Sequence, residues 1–123
     1  SASAPARVIC HNDLLHANRL MCAGRLVAID WEYARCGDAF FDLAVAASEY
    51  APDQRERLLV RYLKRPPTRD ERRHFDDQRL VYLAIAACWH AGEGFPSADI
   101  ANALEAITRA VAEASAAMST PRA

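Results

Sequence analysis

Lysine is nearly missing from this chain of 123 residues: Lys64 stands alone against fourteen arginines. Glycine is scarce, with Gly24, Gly37, Gly92 and Gly94 as the full set. Glycines so placed cannot form a G-x-G-x-x-G loop over phosphates. No apolar run approaches the roughly 20 residues that a spanning helix needs, and no signal-peptide pattern opens the chain. Cys10, Cys22, Cys36 and Cys88 contain no C-x-x-C pair. Reduced, mostly buried thiols in a cytoplasmic protein are therefore expected. A zinc site from Cys10, His11 and His16 has unfavourable spacing. Excess charge is lacking too, with a formal net charge of −1. Nucleic-acid binding usually draws on a basic excess, so neither nucleic acid nor membrane is an expected partner.

What is present is 52 % apolar and 25 % charged, the balance of a globular domain with room for a core. The arginine and alanine bias is what a GC-rich bacterial coding sequence produces. The first residue is Ser1 rather than methionine, which suggests an excised or processed piece.

Residues 1–6 read as a linker or frayed start. Arg7 to Cys10 is a short β-prone run. Arg19 to Cys22 and Arg25 to Ile29 flank Ala23-Gly24, and two apolar runs around such a turn predict a β-hairpin. Ala39 to Tyr50 carries Phe40, Leu43 and Ala47 at helical spacing. Pro52 opens a second helix with Leu58, Leu59, Tyr62 and Leu63 on its apolar side, and Pro66-Pro67 ends it. Thr68 to Glu71 is a capping-box pattern. A long helix, continuous or broken by a kink, then runs to about His90 with Leu80, Leu83, Ala84, Ala87 and Cys88 on one side. Gly92 and Gly94 stop it. Ser97 caps a last helix whose face is Ile100, Leu104, Ile107, Val111 and Met118, and 119–123 is a loose tail. The expected class is α+β, mainly α: a short β-hairpin layer on about four helices, one domain over 7–118.

The polar residues of "HNDLLHAN" (residues 11–18) sit in the loop before the hairpin. A two-residue turn brings strand ends together, so Asp30 should return beside Asn18. A carboxylate and an amide oxygen at one point suit a hard cation such as Mg²⁺, completed by phosphates and water. Asp13 is then free to accept a proton. Ordinary turn chemistry is the alternative explanation of these residues. Asp38 reads as a helix cap at least as readily as a catalytic group.

H-x-D-x-x-x-x-N, a hairpin and then D-x-E resembles the catalytic centre of the kinase-like fold. "HNDLLHAN" and "AIDWEYARCGDAFFDLA" are similar to the aminoglycoside phosphotransferase and choline kinase superfamily, and "IDWEY" resembles its choline, ethanolamine and thiamine kinase branches. The resemblance covers about residues 8–47. It implies that Asp13 is the catalytic base, and that Asn18 and Asp30 hold Mg²⁺ on the phosphates of ATP. His11 would be a structural loop residue and Asp42 a brace from the following helix. Glu32 would either support the metal or pair with an arginine. Trp31 would pack beside the metal ligand. Tyr82 and Trp89, seven apart on one helix, would cage a cationic substrate or simply form core.

Two departures from the family bear on the rigidity of the loop but remove neither a metal ligand nor the base: Leu15-His16-Ala17 where H-P-G is common, and Ala39 where Pro follows Gly-Asp. A third is larger, since nothing here matches the N-terminal lobe with its phosphate loop and ATP-pairing lysine. The expectation is a C-terminal lobe, inactive or nearly so as the isolated chain, with that lobe and a small-molecule hydroxyl substrate as partners. An aminoglycoside is the second choice of acceptor. A non-catalytic interaction fragment and a metal-dependent phosphoesterase are the readings from other classes. An apolar face exposed where the other lobe docks could drive self-association.

Overall fold

The computed structural model describes residues 7–94 and 97–118. It divides into two compact units, Ser1–Phe75 and Asp76–Ala123. The described residues form four short strands, one 3₁₀ turn and four α-helices, so the molecule is mainly helical with small antiparallel sheets, as expected.

In the first unit, β2 (Arg19–Cys22) and β3 (Arg25–Ala28) form the anticipated hairpin, with Leu20 opposite Val27 and Met21 opposite Leu26. Its turn places Ala23 and Gly24 at φ 51° and 76°. Both angles belong to a type I′ turn, whose twist matches the strands it joins. The sequence reading missed a second ribbon. β1 (Arg7–Cys10) pairs antiparallel with β4 (Arg35–Asp38), Val8 facing Gly37. β4 holds Gly and Asp, which have low strand propensity, and it is strand only because β1 supplies the partner.

α1 (Ala39–Ala46) starts where Asp38 Oδ1 accepts the Phe40 N–H at 2.8 Å. It is shorter than the Ala39 to Tyr50 span expected. Ser48 and Tyr50 donate to the carbonyls three residues back, a tightening that closes the last turn. Ala51, ahead of proline, is extended. α2 (Pro52–Leu63) ends on Lys64 in the left-handed region at φ 60°. α3 (Arg69–Gly92) starts on the capping box: Glu71 N–H donates to Thr68 Oγ1 at 3.1 Å, and Thr68 N–H to Glu71 Oε1 at 2.9 Å. Arg65 grips the same carboxylate through two bonds of 2.7 and 2.9 Å. Arg65, then the Thr68 N–H, lowers the Glu71 carboxyl to about 2.

The core of this unit is Phe40, Ala44, Ala47, Leu59 and Phe75, flanked by Leu43, Tyr50, Leu58 and Leu63. These come from α1 and the turn after it, from α2 and from the start of α3, and α1 also packs on β1 and β4. Helical spacing on three helices thus supplies the core of this unit.

The second unit holds the rest of α3 and α4 (Ser97–Met118). α3 is continuous rather than broken. Ala87 and Ala110 are buried. Most of the face expected of α4 is not: Leu104 and Val111 are exposed and Ile107 is half-buried. The side chains of Ile100 and Met118 lie outside the described residues, as do 1–6 and 119–123. Small alanines occupy the buried places, which leaves the larger side chains outside. The cysteines differ from expectation as well: Cys10 is buried, whereas Cys22, Cys36 and Cys88 are exposed and all four are free. Cys22 and Cys36 lie on short two-stranded ribbons and Cys88 on α3. No helix of the described residues is long and apolar enough to cross a membrane.

Candidate active site

The chain leaves β1 at Cys10 and enters the loop through His11, which is 1 % exposed. A buried imidazole needs partners for both nitrogens. Nδ1 accepts the Asp13 N–H at 3.1 Å, which puts the ring proton on Nε2, where it donates to Ile29 O at 2.6 Å. One side chain thereby joins the loop to the end of the hairpin's second strand. The Trp31 ring lies 4.7 Å from that of His11, and its indole N–H donates to Ala28 O at 2.9 Å. Trp31 is still half-exposed.

Asp42, on the first turn of α1, accepts the His11 N–H at 2.7 Å and the Asn12 N–H at 2.8 Å, one on each oxygen. Two backbone donors with no strand partner are satisfied by one carboxylate. Asp38, at the foot of that helix, uses one oxygen for the cap and the other for His74 Nε2. The His74 ring stacks 5.4 Å from Phe40 in the core. Cys10 Sγ donates to Asp38 O at 3.3 Å, and burial, then the Asp42 and Asp38 charges, push its thiol upward. It remains a protonated, structural thiol.

At its far end the loop closes through a 3₁₀ turn, His16–Asn18. Asn18 donates its side-chain amide to Asp13 O at 2.8 Å and Asp13 Oδ2 at 3.0 Å. Its backbone carbonyl accepts the Ile29 N–H at 2.9 Å, which extends the hairpin ladder by one rung. Asp13, Asn18 and the residue before Asp30 are therefore tied together directly. The amide nitrogen is committed to Asp13, so Asn18 Oδ1 is the atom that could serve a cation. Asp30 is exposed, has no hydrogen-bond partner among the described residues, and adopts φ 64°. An amide oxygen and a carboxylate are hard donors of the kind that could hold Mg²⁺.

Glu32 is exposed and forms no arginine pair among the described residues. Tyr82 and Trp89 lie on α3 in the second unit, half-buried and exposed respectively, and are not among the groups that the first unit gathers around Asp13. Sequence reasoning overlooked Asn12, whose φ is 69° and whose Nδ2 donates to Tyr33 O at 2.9 Å. The available signal was asparagine itself, the side chain after glycine that best tolerates a left-handed backbone. It also overlooked His74, whose helix gives no hint of a link to Asp38.

Comparison with known proteins follows the same boundaries. The family model of the phosphotransferase enzyme family (APH) matches residues 1–75, the span of the first unit. Protein LicA of Haemophilus influenzae is 48 % identical over 40 residues, which are 32 % of this chain and 15 % of that protein. A crystal structure of a choline/ethanolamine kinase family protein from Mesorhizobium loti has the same fold, with a TM-score of 0.72 at 24 % identity. It is matched over 97 % of this chain and 41 % of its own. The chain thus spans less than half the length of these relatives. With more than half of its residues matched by the family model, the chain belongs to the phosphotransferase enzyme family.

Proposed function

We propose that residues 7–118 form the catalytic and substrate-binding C-terminal lobe of an ATP-dependent small-molecule kinase. The observation that carries this reading is the Asn18 amide, which holds Asp13 while its own backbone pairs with Ile29 beside Asp30. Asp13 Oδ2 is engaged by that amide, which leaves Oδ1 for an acceptor hydroxyl. The hydroxyl oxygen bonds to the γ-phosphorus as the bond to the bridging oxygen breaks. ADP leaves, and the hydroxyl proton passes to Asp13. Asn18 and Asp30 would hold Mg²⁺, which when bound neutralises charge on the phosphates. Glu32 would add negative charge near it. His11 and Asp42 keep the loop still, so the groups are already oriented when substrate arrives.

For the acceptor we propose a hydroxyl on a small cationic metabolite of the choline, ethanolamine or thiamine type. The solved relative's description supports this choice. So do the half-exposed rings of Trp31 and Tyr33 next to Asp30, since aromatic faces attract ammonium groups. Tyr82 and Trp89, on α3, are proposed as substrate-binding aromatics. The exposed apolar side chains of the strands, Ile9, Met21 and Leu26 among them, would meet a nucleotide-clamping lobe.

The test joins this chain to the nucleotide-clamping lobe of a choline/ethanolamine kinase and measures ATP turnover with choline, ethanolamine, thiamine and kanamycin. Turnover on an amino alcohol or thiamine, with little from the chain alone, is expected. Turnover on kanamycin alone would replace the acceptor with an aminoglycoside. No phosphorylated acceptor would overturn the kinase reading.

A further inference from the structure

Asp30 lies between two held segments: Ile29 before it, and after it a turn that Trp31 anchors on His11 and Ala28 and that leads into Arg35, paired with Cys10. The residue before it, Ile29, is held by Asn18 through its N–H and by His11 through its carbonyl. After it, residues 31–34 make a turn closed by Ala34 N–H on Trp31 O at 3.0 Å. Among the described residues, one hydrogen bond joins the loop of Asp13 to this turn, from Asn12 Nδ2 to Tyr33 O. Asn12 is also the neighbour of Asp13, and its own N–H is clamped by Asp42.

Resting on the kinase reading above, we infer that Asn12 is a positioning residue that sets the Asp30 carboxylate relative to Asp13. Its residue type fits the task from two directions. The φ of 69° asks for glycine or asparagine. The bond to Tyr33 asks for a side-chain donor, which glycine lacks. An aspartate of the same shape would set a carboxylate against a carbonyl oxygen. Asparagine alone meets both demands at this length, and it links the proton-accepting side of the site to the cation-holding side. Without the link, Trp31 and the Arg35 pairing would still hold the two ends of the turn, but Tyr33 at its middle would lose its tie to the loop of Asp13. A ligand whose support is removed typically loses about 10- to 100-fold in metal affinity.

The test uses the ¹⁵N-labelled chain and Mn²⁺ alone, read as paramagnetic broadening of the Asn18, Asp30 and Trp31 amides. Asn12→Gly keeps the backbone conformation and removes the bond. It should stay folded, with the amides of residues 11 and 12 still slow to exchange on Asp42. It should need at least about 10-fold more Mn²⁺ for half-broadening. A role in stability alone would lower the melting midpoint and leave the Mn²⁺ titration where it was, and that result would overturn the inference. Asn12→Ala, which adds backbone strain, should show the same Mn²⁺ loss at a lower midpoint. If the unaltered chain shows no broadening at Asn18 and Asp30, the metal reading fails and takes this inference with it. If it broadens and Asn12→Gly matches it, only the inference fails.

Discussion

At the scale of single residues, the site is a set of side chains each doing the work of a missing backbone partner. Asp42 takes two N–H groups at once. Asp42→Ala should cost on the order of 2–4 kcal/mol in urea unfolding, because an orphaned buried donor costs about 1–3 kcal/mol. Exchange of the His11 and Asn12 amides should accelerate in parallel, and unchanged exchange would contradict the assigned bonds. His11→Phe preserves the ring beside Trp31 but leaves Ile29 O without its donor, at a cost of about 1–3 kcal/mol. The return of the hairpin to Asn18 could be read in advance. H-x-D-x-x-x-x-N and the two-residue turn together placed Asn18 next to Asp30, since a hairpin register admits few alternatives. The Asn12 bond to Tyr33 and the His74 bond to Asp38 could not be read, because each spans many residues and depends on side-chain reach after folding.

At the scale of elements, the ends of helices carry the most legible and the most testable physics. The capping box at Thr68 was visible as four letters. Glu71 is drawn from the ordinary 4.5 to about 2 by Arg65 and the Thr68 N–H. Its folded-state pKa lies below the unfolded one, so its contribution is complete above about pH 4.5 and fades as pH falls toward 2. The stability gap between the native chain and Glu71→Gln should therefore be flat above that range and shrink below it, and a pH-independent gap would contradict the link. Lys64 closes α2 at φ 60°, where a side chain is strained. Lys64→Gly should stabilise the chain by about 1 kcal/mol in the same unfolding assay. β4 was illegible for a different reason: nothing local in Arg35 to Asp38 favours strand, and its pairing with β1 is a long-range event. The face of α4 was legible only as a periodicity, which reports amphipathicity and not burial, and Leu104 and Val111 on it are exposed.

At the scale of the molecule, the first unit, its core and the matched family span coincide. Phe75, 2 % exposed, sits at the end of that span. Phe75→Ala should cost about 3–5 kcal/mol by removing a ring from a core of five buried residues. The proposal that this unit is a phosphoryl-transfer centre depends most on Asp13. The most direct measurement is single-turnover transfer of the γ-phosphoryl of ATP to the accepted alcohol, in the two-lobed protein, comparing Asp13 with Asp13→Asn. The account predicts a rate about 10²- to 10⁴-fold lower for the asparagine variant, with the melting midpoint little changed. Transfer at a rate within about threefold of the native protein would contradict it, because no general base could then reside at Asp13.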